Sequence, residues 1–415
     1  MKEKIKKRLK KELRDLIIIL CIFAVGYVVS NQYIEKEVEE WNKVVYIGYS
    51  NKVDYDDYVE YETLETLEAY EFEKELYSNF YYYDQLNESE KTVYNLLRFA
   101  YEKNLVYLFI DESICDECNY SLTDIASFLA LDTPMLEQNL IIGEDDTKYT
   151  VEQQFLYKTV SRELKGSYIG IENFEKERTE KKELAVKEAK KIEFDFTETD
   201  TELEKARIIF NYLQDNIIYE MDEEKDTTQE ILDSDYLYDA ICEGATNCDG
   251  YANAFSLLCY FNDITCIEKM TPNDSEEIGH TWNSVFLDGK WYNVDATESA
   301  DEEDVAEWYD ELMINFAFSD ATQSDVPAYP ELLPECNSSL IPVARVFDKS
   351  SDDEVMKEIK AAFKETDEDY IVVTFKTLDK DEDEFLEDIV DTLWKSIYTY
   401  TLKGDACNVV VIKTR

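Results

Sequence analysis

The chain has 415 residues, which is enough for two or three domains, and its 45% hydrophobic content is sufficient for packed cores. Its formal net charge at pH 7 is −52. A surface this negative repels phosphate backbones, which excludes nucleic-acid binding, and we interpret the dispersed acidic residues as a solvated surface.

A basic segment followed by an apolar run opens the chain. Residues 1–15 carry eight basic and three acidic side chains, and we predict that this segment is cytoplasmic. Residues 16–34 reach the ~17–25 residues of a spanning helix if the polar residues 30–32 lie at the interface. We therefore predict an uncleaved signal anchor at 16–34 with the main domain outside the cell membrane. The alternative is a cleaved signal peptide and a secreted protein.

Two segments separate this anchor from the central part of the chain. Residues 35–76 are acidic and rich in tyrosine, and they predict a stalk or a leading helix. Residues 77–199 predict a mostly helical domain. Its helices are expected after Asn87, at 121–131 and at 173–191, while 106–110 suits a short strand or a buried turn.

Cys115 and Cys118 form a lone C-x-x-C motif within the predicted helical domain. A zinc site requires four ligands, and neither a second such motif nor a spare histidine supplies them. In an exported chain a disulfide is the expected state, with free thiols and a metal site as alternatives.

The central domain is predicted at 200–322 and begins with a helix. Asp200 is the expected cap, and apolar residues recur at helical spacing from Leu203 to Ile217. A second helix is predicted to start at Cys248, where the helix dipole favours a thiolate. Gly250 is expected to let the backbone turn tightly into this helix.

A β-hairpin is predicted after the second helix. Residues 280–287 and 290–297 alternate like strands, and Asp288-Gly289 is a favoured two-residue turn. In the register that this turn sets, His280, Trp282 and Asp295 share one face of the hairpin. Asp295 can therefore orient the imidazole of His280, the only histidine in the chain. A cysteine, a histidine and an aspartate in these positions are typical of covalent acyl transfer.

At these residues the chain resembles the transglutaminase-like superfamily. The matching segments are 248–252, 280–283 and 288–297, with Asn247 as a departure because relatives carry a small or apolar residue there. The resemblance implies an α+β fold with a papain/transglutaminase-like core, in which the cysteine helix packs on an antiparallel sheet. It places the catalytic roles on Cys248, His280 and Asp295.

Three further residues are predicted to support this site. Trp282 should shield the hydrogen bond between His280 and Asp295, and Gly250 and Tyr251 should shape the start of the cysteine helix. The backbone N–H of Cys248 is one candidate for the oxyanion hole.

The C-terminal residues 323–415 predict a small α/β domain. Strands are expected at 341–347, 370–375 and 408–412, with helices at 352–363 and 384–398.

The predicted function is an extracytoplasmic cysteine enzyme. It would perform acyl transfer or hydrolysis at peptide or protein amides through a thioester, with a protein or peptide substrate at the cell surface. The alternatives are a cysteine peptidase or amidase with the same triad, and a non-catalytic cell-surface binding or structural protein. No cofactor is expected; Ca²⁺ is an option that no motif supports, because no segment matches an EF-hand loop.

Overall fold

The computed structural model describes most of the chain in segments. They are 2–50, 60–72, 75–103, 105–135, 143–156, 158–170, 176–220, 235–272, 279–297, 315–340, 343–346, 351–365, 370–375, 382–393, 399–403 and 408–413. The chain divides into two compact units. The first comprises Met1–Glu73, Glu88–Ser121 and Ile141–Glu172, and the second comprises Lys74–Asn87, Leu122–Leu140 and Asn173–Arg415. The predicted segment 77–199 therefore contributes to both units.

The first unit begins with the long helix α1 (Lys2–Trp41). Among the described residues it is the only helix long and apolar enough to cross a membrane. Its large apolar side chains between Leu16 and Val29 are 48% to 72% exposed on all sides of the helix. An exposed helix that is apolar all round suits a lipid environment, which is consistent with the anchor predicted at 16–34.

An antiparallel sheet forms the body of the first unit. Its strands are β1 (Tyr46–Ser50), β2 (Glu60–Thr63), β3 (Tyr107–Asp111), β4 (Gly143–Phe155) and β5 (Lys158–Gly170), in the order β2-β1-β3-β5-β4. Strand β3 confirms the strand alternative at 106–110. The hairpin of β4 and β5 was not predicted. Its buried residues, such as Val151 and Leu164, alternate with so many charged ones that the apolar periodicity is weak.

Three helices accompany this sheet within the first unit. They are α2 (Leu64–Glu68), α3 (Glu88–Lys103) and α4 (Glu112–Cys115). Helix α3 confirms the helix predicted after Asn87. Its inner face, which includes Val93 and Leu97, is buried.

The second unit holds the predicted α+β core. Its helices are α5 (Leu122–Asp132), α6 (Lys176–Ala189), α7 (Glu202–Asn216), α8 (Tyr236–Tyr238) and α9 (Cys248–Phe261). Two short strands, β6 (Ile218–Tyr219) and β7 (Ala245–Thr246), pair in parallel. The main sheet contains β8 (Thr265–Met270), β9 (Thr281–Leu287), β10 (Lys290–Val294) and β11 (Phe316–Phe318), in the order β11-β10-β9-β8. Single 3₁₀ turns lie at Tyr83–Gln85, Asp320–Thr322 and Pro330–Leu332, and a π turn at Asp239–Glu243.

Helix α9 packs against one face of this antiparallel sheet. Phe255 and Leu258 of the helix join Val285 and Leu287 of β9 and Val294 of β10 in one buried apolar cluster. This is the helix-on-sheet arrangement predicted for the core. The acidic segment 301–312 lies outside the described residues.

The start of helix α7 corrects one prediction. Thr201, and not Asp200, is the N-cap: its side chain accepts from the N–H of Glu204, while the Glu204 carboxylate accepts from the N–H of Thr201. The two bonds form a capping box, which satisfies two amide groups at once. Asp200 instead accepts hydrogen bonds from Thr197.

The C-terminal part forms the predicted small α/β arrangement. Its elements are β12 (Val343–Val346), α10 (Asp352–Glu365), β13 (Tyr370–Phe375), α11 (Glu382–Leu393), β14 (Thr399–Lys403) and β15 (Asn408–Lys413). The sheet order is β12-β13-β15-β14, with β12 and β13 parallel. Helix residues such as Val355 and Phe385 pack on Val373 and Ile412 of the sheet. Strand β14 was not predicted.

Candidate active site

Cys248 is the first residue of helix α9, as predicted. It is buried, with 7% of its surface exposed. Asn247 is the N-cap, and its side-chain oxygen accepts from the N–H groups of Asp249 at 3.1 Å and Gly250 at 3.4 Å. Asn247, the residue that differs from the small or apolar one expected there, therefore stabilises the start of the helix that carries the thiol.

Gly250 and Tyr251 fix the first turn of this helix by packing. A Cβ atom on Gly250 would lie 2.0 Å from Oγ1 of Thr246, and the φ angle of Gly250 is not in the left-handed region. Close packing against β7, and not the predicted tight turn, is the reason for glycine here. Tyr251 is fully buried and its hydroxyl donates to the carbonyl of Ile217 at 2.7 Å.

His280 and Asp295 are brought together by the hairpin in the predicted register. Leu287 pairs with Lys290 and Ser284 with Asn293. Nε2 of His280 lies 2.6 Å from Oδ2 of Asp295. The second carboxylate oxygen of Asp295 accepts from the N–H of Thr297 at 3.0 Å, so both oxygens are held.

The backbone of Asp295 is held from the side of the sheet that faces β11. The N–H of Asp295 donates to the carbonyl of Asn315 at 2.8 Å, one residue before β11 begins. His280 is anchored by reciprocal bonds with Thr271, whose Oγ1 accepts from the His280 N–H at 2.9 Å. The two side chains are therefore positioned by their own backbones.

Trp282 covers the imidazole of His280. The two rings are stacked, with centroids 5.7 Å apart and planes inclined by 14°, and Trp282 is 2% exposed. Nζ of Lys269 lies 5.3 Å from the Trp282 ring and donates to Asn293 and Gln323. Burial lowers the pKa of Lys269 to about 8. The stacking of Trp282 on His280 suits the predicted shielding role, and that role remains a prediction.

The thiol and the imidazole lie close enough to influence each other. The side chain of His280 and the backbone N–H of Thr281 both act to lower the pKa of the Cys248 thiol. Nε2 of His280 faces Asp295, so the other ring nitrogen is the one available to the sulfur. The structure thus brings together all three residues that the sequence predicted.

The surroundings of the pair act on its two pKa values in opposite directions. Burial raises the pKa of the Cys248 thiol, and the charge of Asp249 raises it further, while His280 and the Thr281 N–H lower it. Burial lowers the pKa of His280, but the charge and hydrogen bond of Asp295 raise it to well above 6.5. The thiolate that the start of the helix favours remains a prediction.

Asp249 and Thr281 also lie near the thiol, and the sequence did not predict them as site residues. Oγ1 of Thr281 donates to Oδ1 of Asp249 at 2.6 Å, which joins the first residue of β9 to the first turn of α9. Asp249 follows the cysteine directly, and an acidic residue in a first turn is common for helix stability alone. Only the packing of strand on helix reveals the contact.

The described residues contain no group of three or more His, Cys, Asp or Glu side chains arranged to hold a metal ion. The predictions about cofactors and Ca²⁺ remain predictions.

The segment that contains the cysteine helix and the hairpin beside it is similar to a known family. Residues 190–296 match the family model described as the transglutaminase-like superfamily. This range contains Cys248, His280 and Asp295.

Particular relatives can also be named. The kyphoscoliosis peptidases of Mus musculus and Homo sapiens are 27% and 28% identical to this chain over 110 residues, or 24% of it. The alignment spans only 16% of the length of these curated relatives.

Among solved structures, the chain is similar to a TGase, with 14% identity, a TM-score of 0.22 and coverage of 39% of this chain and 48% of the other. It is also similar to a proposed cysteine protease from Cytophaga hutchinsonii. That similarity has 15% identity and a TM-score of 0.19, and covers 38% of this chain and 65% of the other.

Proposed function

We propose that the protein is a cysteine enzyme that transfers or hydrolyses acyl groups of peptide or protein amides. The observation that carries this proposal is the constellation around His280: a carboxylate lies 2.6 Å from one ring nitrogen, and the thiol at the start of helix α9 is close enough for His280 to lower its pKa. A nucleophile, a base and an orienting group are the three parts that covalent catalysis requires.

The proposed reaction begins when the thiol proton of Cys248 moves to a neutral His280. The charge of Asp295 stabilises the imidazolium that forms, and the sulfur of Cys248 is the nucleophile. The sulfur attacks the carbonyl carbon of the amide. His280 gives its proton to the departing amine, and an acyl thioester remains on Cys248. An incoming amine or water loses a proton to His280 and attacks the thioester, which releases the thiol.

The identity of the second reactant separates acyl transfer from hydrolysis. A primary amine as acceptor produces a new amide and thus a cross-link, whereas water produces an acid. The relatives named as peptidases favour hydrolysis as the second candidate. A non-catalytic binding or structural protein with the same three residues is the remaining alternative.

Helix α1 supports a location at the membrane. We infer that the basic residues 1–15 lie in the cytoplasm and that the catalytic domain lies outside, where it would meet protein substrates at the cell surface. Protease added to intact cells should then degrade the domain, whereas a cytoplasmic domain would be protected.

Product analysis on the full chain in detergent micelles tests the activity. The protein is incubated with a glutamine-containing peptide and a fluorescent primary amine, with Cys248→Ala as the control. Incorporation of the amine indicates acyl transfer, release of ammonia without incorporation indicates an amidase, and new amino termini indicate a peptidase. If both proteins give no product from a broad peptide library, the non-catalytic alternative is favoured.

A further inference from the structure

Thr281 joins strand β9 to the first turn of helix α9. Its hydroxyl donates to Oδ1 of Asp249 at 2.6 Å. Thr281 is 4% exposed, follows His280 in the chain and is the first residue of β9. The residue next to the base is therefore bonded to the residue next to the nucleophile, and its backbone N–H acts to lower the pKa of Cys248.

We propose that Asp249 is a positioning residue: through its hydrogen bond to Thr281 it holds the start of β9, and with it His280, against the first turn of α9 that carries Cys248. This inference rests on the proposed function, because it concerns the same thiol. Asp249 does not touch the reacting atoms in this proposal; it acts through Thr281 and through its electric field.

The two effects of Asp249 on the thiol have opposite signs. Its hydrogen bond to Thr281 places a backbone N–H at the sulfur, and such a donor stabilises a thiolate. Its negative charge lies beside the sulfur and destabilises a thiolate. A residue that only stabilised the fold would have neither effect on the ionisation of Cys248.

Other titratable groups surround this contact. Burial raises the pKa of both Cys248 and Asp249, and His280, which is itself held by Asp295, opposes that shift at both groups. Glu268 on β8 also interacts with Asp249, and burial raises the pKa of Glu268 well above its usual range. Asp249 is therefore the carboxylate that opposes the charge on the sulfur most directly.

Two substitutions separate the charge from the hydrogen bond. Asp249→Asn keeps an oxygen that can accept from Thr281 but removes the charge, so Cys248 should ionise at lower pH. Thr281→Val removes the donor but keeps the charge, so Cys248 should ionise at higher pH. Thr281→Ser restores the hydroxyl and should behave like the wild type.

The measurement is the alkylation rate of Cys248 by iodoacetamide against pH, in the full chain in detergent micelles. Peptide-resolved mass spectrometry is required because Cys21 is exposed, and Cys115, Cys118 and Cys242 are partly exposed. We expect Asp249→Asn to react about threefold to tenfold faster than wild type at neutral pH, and Thr281→Val to react slower by a similar factor.

Asp263→Asn is the matched control for the loss of one charge. Asp263 is exposed beyond the other end of α9, about 20 Å from Cys248 for a helix of this length. Its φ of 58° suits asparagine as well as aspartate. This variant should have the pH profile of the wild type.

The two profiles decide the proposal. The proposal is overturned if Asp249→Asn and wild type have the same pH profile of Cys248 alkylation. It is also overturned if Asp249→Asn and Thr281→Val shift that profile in the same direction, because such a result indicates a structural role only. If Asp249→Asn does not fold, the comparison of Thr281→Val with Thr281→Ser still tests the hydrogen bond. Failure of the proposed function looks different: Cys248 would then react like an ordinary thiol whether or not His280 is replaced.

Discussion

Replacing Gly250 by alanine tests how closely helix α9 approaches strand β7. The added Cβ would lie 2.0 Å from Oγ1, 2.6 Å from Cγ2 and 2.7 Å from Cβ of Thr246. Thr246 is 5% exposed, and its side chain has little room to rotate away. The first turn of the helix, which carries Cys248, must therefore shift.

The energetic cost follows from two opposing terms. Overpacking a buried site costs about 1–3 kcal/mol. Alanine is better than glycine within a helix by up to ~1 kcal/mol, which offsets part of this cost. We expect Gly250→Ala to lower the free energy of unfolding by about 1–2 kcal/mol. A shift of the thiol by ~1 Å should in addition slow catalysis by about 100-fold.

Urea denaturation followed by circular dichroism measures the first effect, and turnover or Cys248 alkylation measures the second. Gly279→Ala is the matched control for stability, since its Cβ would meet only Oγ1 of Thr271 at 3.6 Å, an ordinary contact. Adding Thr246→Ala to Gly250→Ala removes two of the three clashing atoms and should restore part of the stability. If Gly250→Ala is as stable and as reactive as wild type, the helix does not start where the structure places it.

Three further predictions concern stability. Burial raises the pKa of Glu268 well above its usual range, so this buried acid contributes stability below the unfolded pKa of ~4.3 that is lost as pH rises through the folded pKa. Glu268→Gln should therefore flatten the fall in urea midpoint as pH rises above the unfolded pKa, and an unchanged slope would contradict this. Tyr251→Phe removes the bond to the carbonyl of Ile217 and should lower the free energy of unfolding by about 1–3 kcal/mol in urea melts, whereas no loss would mean that the bond is absent. Thr201→Ala removes the N-cap of α7 and should lower the free energy of unfolding in urea melts by about 1 kcal/mol. An equal loss in Asp200→Ala would contradict the assignment of the cap to Thr201.

The relation between His280 and Asp295 could be predicted because a local turn determines it. Asp288 and Gly289 have φ angles of 48° and 84°, as a two-residue hairpin turn requires. Such a turn fixes the register of both strands, and strand alternation then places side chains on one face. The helix at Cys248 could be predicted for the same reason, since helical periodicity is also local.

Contacts between distant elements could not be predicted in this way. The bond from Thr281 to Asp249 depends on how α9 packs on the sheet, and no spacing in the sequence encodes that packing. The raised pKa of Cys248 has the same origin, because its largest cause is burial under residues that are distant in the sequence. The cap at Thr201 was available from the sequence, since Glu204 three residues later completes a capping box and Asp200 has no such partner.

The most direct test of the proposed triad is an NMR titration of His280. Because it is the only histidine in the chain, selective labelling of histidine gives the signals of one imidazole, provided that the purification tag contains none. We predict that this imidazole stays charged well above pH 6.5, with a proton on Nε2 that is shared with Asp295, and that Asp295→Asn and Cys248→Ala each lower its pKa. A titration near the ordinary value of ~6.5 that neither substitution changes would show that the three side chains do not act together.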